Sequence, residues 1–270
     1  MKKILVINDV PSYGVVASSA NTPILRYYGN EVFVLPTGLV SNTLDYGKFN
    51  ILNTLEYMKN TFQVWNQLGF KHDVICTGFI LDTEQSSYIL EILKESDAFK
   101  MVDPIMGDDG KLYNGVDEKT IHANRALCQQ ADLIVPNFTE ACFLTGMYID
   151  KTEVSIEQAK ELIDGLRKLG CKDILITSLL LDDGKHYIAG FEEDYFFLEF
   201  DYLPIRMAGT GDMFSSVLIA ELTSGASLMD ATIKARDFLF KIVEMNIHTK
   251  DAYKGVNVER YLHLLGDCHD

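Results

Sequence analysis

No stretch of this chain approaches the roughly 18 consecutive apolar residues of a membrane-spanning helix, which argues against a membrane partner. A signal peptide is not expected either. Met1-Lys2-Lys3 and Ile4-Leu5-Val6-Ile7 begin like one, but Asn8-Asp9 ends the apolar stretch too early and no small-residue cleavage site follows. The expected location is therefore cytoplasmic. Positive charge is scarce: 24 Lys and Arg stand against 39 Asp and Glu, a net charge of −15 over 270 residues. With no basic stripe to neutralise a phosphate backbone, nucleic acid is excluded as a partner. An anionic substrate must be received by local amides, a metal ion or a few specific cations. The five cysteines (Cys76, Cys128, Cys142, Cys171, Cys268) include no C-x-x-C pair and read as reduced, mostly core-filling thiols. The six histidines are dispersed, and neither H-E-x-x-H nor a Cys/His cluster offers a protein-held zinc site. Two nucleotide signatures are absent. There is no G-x-x-x-x-G-K-[ST], and Gly209-x-Gly211 lacks a third glycine because Phe214 stands there.

What is present is ample apolar content, 47%, arranged as alternating short apolar runs and amphipathic segments. The spacing predicts strands at 3–8, 31–36, 73–77, 98–102, 132–135 and 173–177, with antiparallel additions at 185–189 and 195–200. Helices are predicted over 15–28, 49–68, 83–96, 117–130, 137–144, 155–169, 228–245 and near 258–265, with polar loops at 37–48 and 107–115. This alternation is the signature of an α/β sandwich with a mainly parallel sheet. Without linker or repeat, residues 1–270 read as a single domain. Ligands in open α/β sheets bind beyond the C-terminal strand ends, which here carry Asp9, Gly78, Asp103, Asn137 and Thr177.

Three stretches carry chemistry. In Ala208-Gly209-Thr210-Gly211-Asp212, two glycines permit a tight turn before an apolar helix, whose unpaired first-turn amides suit phosphate. Asp212 either complements the helix dipole or serves as a base beside an electrophilic phosphorus. In Asp103-Pro104-Ile105-Met106-Gly107-Asp108, the aspartates either form an ordinary turn or orient Mg²⁺, which needs few carboxylates when substrate phosphates complete its shell. In Pro136-Asn137-Phe138-Thr139-Glu140, Asn137 and Glu140 form a helix-start pattern related to the capping box. The same two residues could meet phosphate and a metal-bound water, and both readings can hold together. The hydroxyls of Thr177 and Ser178 are weaker candidates for a nucleotide contact.

The order Asp-Pro, Asn-x-x-Glu, Gly-Thr-Gly-Asp resembles the ribokinase-like superfamily. Within it, Ile7-Asn8-Asp9, Ser41-Asn42, Thr77-Gly78-Phe79 and Asp103-Pro104-Ile105-Met106-Gly107-Asp108 are similar to the pyridoxal kinases along essentially the whole chain. The resemblance implies a three-layer α/β/α sandwich with a mainly parallel central sheet. It implies transfer of the ATP γ-phosphate to the 5′-hydroxymethyl of pyridoxal, pyridoxamine or pyridoxine, and a homodimer. By the same resemblance Asp212 is the catalytic base, and the amides of Gly209, Thr210 and Gly211 are the anion hole. Asp103 and Glu140 would organise Mg²⁺. Asp108, Asn137, Glu140, Thr177, Ser178, Thr210 and Gly211 would meet ATP, and Asp9, Ser41, Phe79 and Asp212 the vitamin. The 107–115 loop resembles a lid, and a monovalent cation such as K⁺ is left open. Asp9 stands where many pyridoxal kinases have serine, so its carboxylate would face a protonated ring nitrogen or an amine cation. Ser41-Asn42-Thr43-Leu44-Asp45-Tyr46 replaces the usual Ser-Asn-His-Thr-Gly. The rivals are a hydroxymethylpyrimidine (phosphate) kinase of the same superfamily and a non-catalytic ligand-binding paralogue.

Overall fold

Ile4, Leu5, Val6 and Ile7 form a run with no polar interruption, and all four are buried, as expected of a strand covered on both faces. The computed structural model describes residues 1–113 and 116–266, which form two compact units, Met1–Leu81 with Leu203–Asp270, and Asp82–Tyr202. The first unit opens with β1 (Lys3–Pro11), α1 (Ser18–Tyr27), β2 (Glu31–Val40), β3 (Ile51–Asn53), α2 (Leu55–Gln67) and β4 (Val74–Thr77). The second contains α3 (Thr83–Glu95), β5 (Phe99–Val102), β6 (Gly107–Asp108), β7 (Lys111–Leu112), α4 (Glu118–Cys128) and β8 (Leu133–Ile134). It continues with α5 (Phe138–Thr145), α6 (Ile156–Lys168), β9 (Asp173–Leu180), β10 (His186–Phe191) and β11 (Tyr195–Phe200). The chain then returns to the first unit with α7 (Thr210–Thr223) and α8 (Leu228–Met245).

In the first unit β1 pairs in parallel with both β2 and β4, and β3 adds antiparallel to β2. Ile7 is level with Thr77 and Asn8 with Pro36, so Asp9 lies where β1 runs on past the end of β4, Gly78 follows β4 and Ser41 follows β2. In the second unit β5, β8 and β9 are parallel and β10 and β11 antiparallel. Val102, Ile134 and Ile174 share a level, which brings Asp103, Asn137 and Thr177 just past the C-terminal ends of β5 and β8. The expected α/β class and mainly parallel pairing are thus observed.

Several boundaries differ from the sequence expectation, each for a local reason. β2 continues to Val40 because β1 also runs on to Pro11, after a register shift between Asn8 and Val10. The expected helix 49–68 begins only at Leu55, since Ile51–Asn53 is taken into the sheet edge against Gly38–Val40. β9 does not stop at Thr177, because pairing with β10 carries it to Leu180 with a bulge opposite Ile188. The segment near 258–265 forms two 3-10 turns, Val258–Arg260 and Leu262–Leu265, in place of a helix. The predicted 107–115 loop contains the β6–β7 hairpin, while Asn114 and Gly115 lie outside the described residues. Cys76, Cys128, Cys142 and Cys171 are free and buried as expected; Cys268 also lies outside the described residues. No described helix is long and apolar enough to cross a membrane.

Candidate active site

α7 is apolar all round, with every residue from Met213 to Ala220 buried, so its start is fixed by packing and not by surface preference. Gly209 caps it with φ 80°, and a Cβ there would stand 2.3 Å from the Val15 carbonyl oxygen. Only glycine allows this turn and this approach. The first-turn N–H groups of Thr210, Gly211 and Asp212 have no acceptor within the helix, and Gly211 is exposed with open space around it.

Asp212 occupies the third helical position, and its carboxylate is held from two sides. Asn8 Nδ2 donates to Oδ1 (3.1 Å), and the Ala17 N–H donates to Oδ2 (2.8 Å). Ala17 itself has φ 48°, unusual for a residue with a side chain. Strain of this kind at the N-cap of α1 persists only where surrounding structure imposes it. Behind the carboxylate, Asn21 Nδ2 donates to the Asp212 carbonyl and to Ser216 Oγ. Burial raises the Asp212 carboxyl above its ordinary range, against the lowering effect of the Ala17 and Asn8 donors.

Asn8 connects this carboxylate to the rest of the strand edge. Its amide also donates to Asn21 Oδ1, and its oxygen accepts the N–H of Phe79 at 2.9 Å. A Cβ on Gly78 would lie 2.5 Å from the Asn8 side chain, so the glycine makes room for this hub. Phe79 is partly exposed, with its carbonyl receiving Thr37 Oγ1. Asp9 is 8% exposed. Burial, reinforced by the Asp212 charge, pushes its carboxyl up to about 7, opposed by its own backbone N–H. Ser41 is exposed, its hydroxyl donating to Asn42 Oδ1 and accepting the Asn50 N–H. Thr43 is the buried member of that loop, tied to the Tyr253 carbonyl.

In the second unit, the expected helix start and the expected acidic group prove to be one construction. Asn137 caps α5 by accepting the Glu140 N–H (2.9 Å), and Glu140 Oε2 accepts the Asn137 N–H (2.8 Å). Glu140 Oε1 accepts the Met106 N–H, and Asn137 Nδ2 donates to the Gly107 carbonyl (2.8 Å). Thr139 Oγ1 accepts the Gly110 N–H, fastening the hairpin tip. Gly107 is present for close approach, since a Cβ would meet the Lys111 carbonyl oxygen at 2.4 Å. Asp108 lies on β6 and accepts the Asp109 N–H. Thr177 and Ser178 occupy the β9 bulge, the first partly exposed and the second exposed.

Glu140 is 3% exposed. Burial and the like charge of Asp103 raise its carboxyl well above the usual range, opposed by the backbone N–H groups of Asn137, Met106 and Gly107. Two crowded carboxylates of this kind fit a hard divalent cation, whose charge would relieve their repulsion. No cluster of three or more potential ligands exists among the described residues. Mg²⁺ takes one or two carboxylates and fills its shell with water and phosphate oxygens, so Asp103 and Glu140 are the residues that could hold it.

The residues that sequence reasoning did not assign a role in the site are Asn8, Ala17 and Asn21. Asn8 ends the apolar run 4–7 and stands in Ile7-Asn8-Asp9, whereas Asn21 is set among Ser19 and Thr22 and stands out only by its burial; Ala17 acts through its backbone and leaves no trace.

Comparison with known proteins adds independent findings. A family model described as phosphomethylpyrimidine kinase matches residues 42–257. A provisionally named pyridoxal kinase of Schizosaccharomyces pombe is 30% identical, covering 96% of this chain and 89% of that one. A pyridoxal kinase of Actinobacillus pleuropneumoniae is 28% identical, covering 86% and 84%. Among solved structures, a provisionally named phosphomethylpyrimidine kinase of Bacteroides thetaiotaomicron, crystallised with pyridoxal, superposes with TM-score 0.91 at 30% identity, covering 98% and 95%. The pyridoxal kinase of Lactobacillus plantarum gives TM-score 0.90 at 27% identity, covering 98% and 96%.

Proposed function

The chain belongs to the family of the phosphomethylpyrimidine and pyridoxal kinases, and on that premise we propose that it transfers the γ-phosphate of ATP to the 5′-hydroxymethyl of vitamin B6 compounds. Relatives named pyridoxal kinase, and a similar structure holding pyridoxal, support the choice of substrate. The observation that carries the chemistry is Asp212, third in α7 and held by Asn8 and Ala17 beside open first-turn amides.

Phosphoryl transfer asks chiefly for alignment and charge stabilisation. The Asn8 and Ala17 donors fix the carboxylate direction before substrate arrives. Asp212 then accepts the alcohol proton as the new P–O bond forms, help worth on the order of 10²–10⁴-fold. The amides of Gly209, Thr210 and Gly211 serve as the anion hole for the oxygens on which charge accumulates and need no reorganisation. Phe79, its backbone pinned through Asn8 and Thr37, offers a ring face to a heteroaromatic alcohol. Asp103 and Glu140 would hold Mg²⁺, which neutralises phosphate charge when bound. Asp108, Asn137, Thr177 and Ser178 are assigned to the nucleotide, and Asp9 and Ser41 to the vitamin. A requirement for a monovalent cation such as K⁺ is tested by substituting one salt for another.

The reading extends to residues 1–270 as one kinase domain, cytoplasmic and homodimeric. For the dimer, the support is α2, of whose thirteen residues only Met58 is buried. Tyr57, Val64 and Leu68, with Leu52 on the adjoining edge strand, leave an exposed apolar face of the kind that marks an interaction surface.

The test is ATP-dependent product formation on pyridoxal, pyridoxamine, pyridoxine and hydroxymethylpyrimidine, with Asp212→Asn alongside. Turnover on a B6 vitamer that drops 10²–10⁴-fold in the variant, with ATP still bound, is the expected result. Turnover on the pyrimidine alone would favour the second reading, for which the description of the matching family speaks. Ligand binding without turnover on any alcohol would identify a non-catalytic paralogue.

A further inference from the structure

Two carboxyl groups of the first unit sit in contrasting surroundings. Asp212 receives two hydrogen bonds, from Asn8 and from the Ala17 amide. Asp9, more than nine-tenths buried, receives none from any other described residue, and its own amide is turned to Asn8 Oδ1. The titratable groups on the elements packed around it offer no compensating cation. On β1 itself Lys3 lies at the opposite end, and β2 carries only Glu31, level with Lys3 at that end. β4 carries Cys76, a buried thiol. On α1, Arg26 is in the last turn. On α7, Glu221 lies toward the C-terminus, engaged by Tyr28, which leaves Asp212 as the charge that acts on Asp9.

We propose that Asp9 is the proton-holding member of a carboxyl pair with Asp212, and that the proton makes it a hydrogen-bond donor to an acceptor atom on the heteroaromatic ring of the substrate. This rests on the phosphotransfer reading for the identity of the ligand. Where two neighbouring carboxyls have unequal donors, the better-solvated one ionises and the poorer one keeps the proton. Here that leaves Asp212 as the anionic base and Asp9 as a neutral acid, in place of the ionised ring partner that the sequence alone suggests. The raised titration of Asp9, to about 7, agrees with this division. One consequence is that binding weakens as the solution becomes alkaline, because ionised Asp9 accepts where it previously donated.

The experiment has two arms on the full-length protein. In the first, the side-chain carboxyl carbon of Asp9 is followed by NMR against pH without ligand, its resonance assigned by its loss in Asp9→Asn. A midpoint near 7 is expected, and a midpoint in the ordinary carboxylate range overturns the proposal. In the second, pyridoxine binding is measured by calorimetry from about pH 5.5 to about pH 9, a span that brackets this titration. Pyridoxine is chosen because it has no aldehyde to react with lysines. The wild-type Kd should rise about 3–10-fold more across that range than the Kd of Asp9→Asn, whose amide stays a neutral donor. Asp9→Leu, with no donor, should bind weakly throughout. A wild-type Kd that falls with rising pH, or an Asp9→Asn profile identical to wild type, overturns the proposal, as does absence of any pyridoxine binding. Binding with this profile but without turnover would overturn the phosphotransfer reading and leave the Asp9 assignment standing.

Discussion

The side-chain amide of Asn8 donates to Asp212 and Asn21 while its oxygen receives the Phe79 N–H, so one residue positions both the Asp212 carboxylate and the Phe79 backbone. Asn8→Ala should lower kcat by at least about 10-fold and reduce stability by about 1–3 kcal/mol, the cost of leaving buried polar groups unpaired. Turnover and thermal melting would measure both, and an unchanged kcat would show that Asp212 is aligned without Asn8. Asp9 makes a second prediction at this scale. Its folded carboxyl titrates near 7 against 3.8 for the unreacted reference, so above 3.8 the unfolded chain gives up a proton that the folded chain retains. Stability is then greatest below 3.8 and falls as pH rises through about 7. The penalty is on the order of 4 kcal/mol at most, from about 1.4 kcal/mol for each pH unit. Asp9→Asn should melt close to wild type near pH 4 and at higher temperature than wild type above pH 7, as read by thermal melts across that range. A melting difference independent of pH would contradict the assignment. At this scale Asp212, Gly209 and Glu140 are legible in the sequence because their residue types are tied to a turn or cap. Ala17 is not, because its contribution is an amide placed by a strained backbone.

The capping box of α5 is also the anchor of the β6–β7 hairpin, so the two elements share the side chains of Asn137 and Glu140. Asn137 reaches the Gly107 carbonyl, Thr139 the Gly110 amide and Glu140 the Met106 amide. Asn137→Ala should cost roughly 0.5–2 kcal/mol as a lost cap. It should also loosen the hairpin, raising the KM for ATP more than it lowers kcat. Steady-state kinetics with a melting curve would separate the two effects; a stability loss with unchanged KM would make the residue a cap only. The helix start was readable from Asn-x-x-Glu. The hairpin was signalled as well, by Asp109-Gly110, a pair suited to a turn in which both residues have positive φ. They do, at 50° and 74°. The glycines at 107 and 110 invite a mobile-loop reading, yet one allows a strand to approach and the other completes a turn. The missed strand Ile51–Asn53 had too few residues to show a period, and its pairing partner lies in a segment rich in turn formers.

For the molecule as a whole, alternation of strand and helix was enough to give the α/β class, because apolar runs covered on both faces leave few alternatives. The assembly state leaves a fainter trace, since an exposed apolar residue looks the same in sequence as a buried one. If α2 forms the dimer contact, Val64→Glu should convert the protein to a monomer in sedimentation or light-scattering measurements. Its melting should shift little, Val64 being 50% exposed. An unchanged mass would remove α2 from the interface. A last consequence concerns the time at which the molecule becomes competent during synthesis. The first unit is assembled from the two ends of the chain, Met1–Leu81 and Leu203–Asp270, whereas Asp82–Tyr202 is uninterrupted. Asn8 and Asp212 are 204 residues apart. At translation rates of about 5–20 residues per second, Asn8 emerges on the order of ten seconds or more before its partner exists. The uninterrupted unit can fold on the ribosome while β1, apolar on both faces, waits for α7. A ribosome stalled before residue 212 therefore releases a product that has all of Asp82–Tyr202 but lacks Asp212, the partner of Asn8.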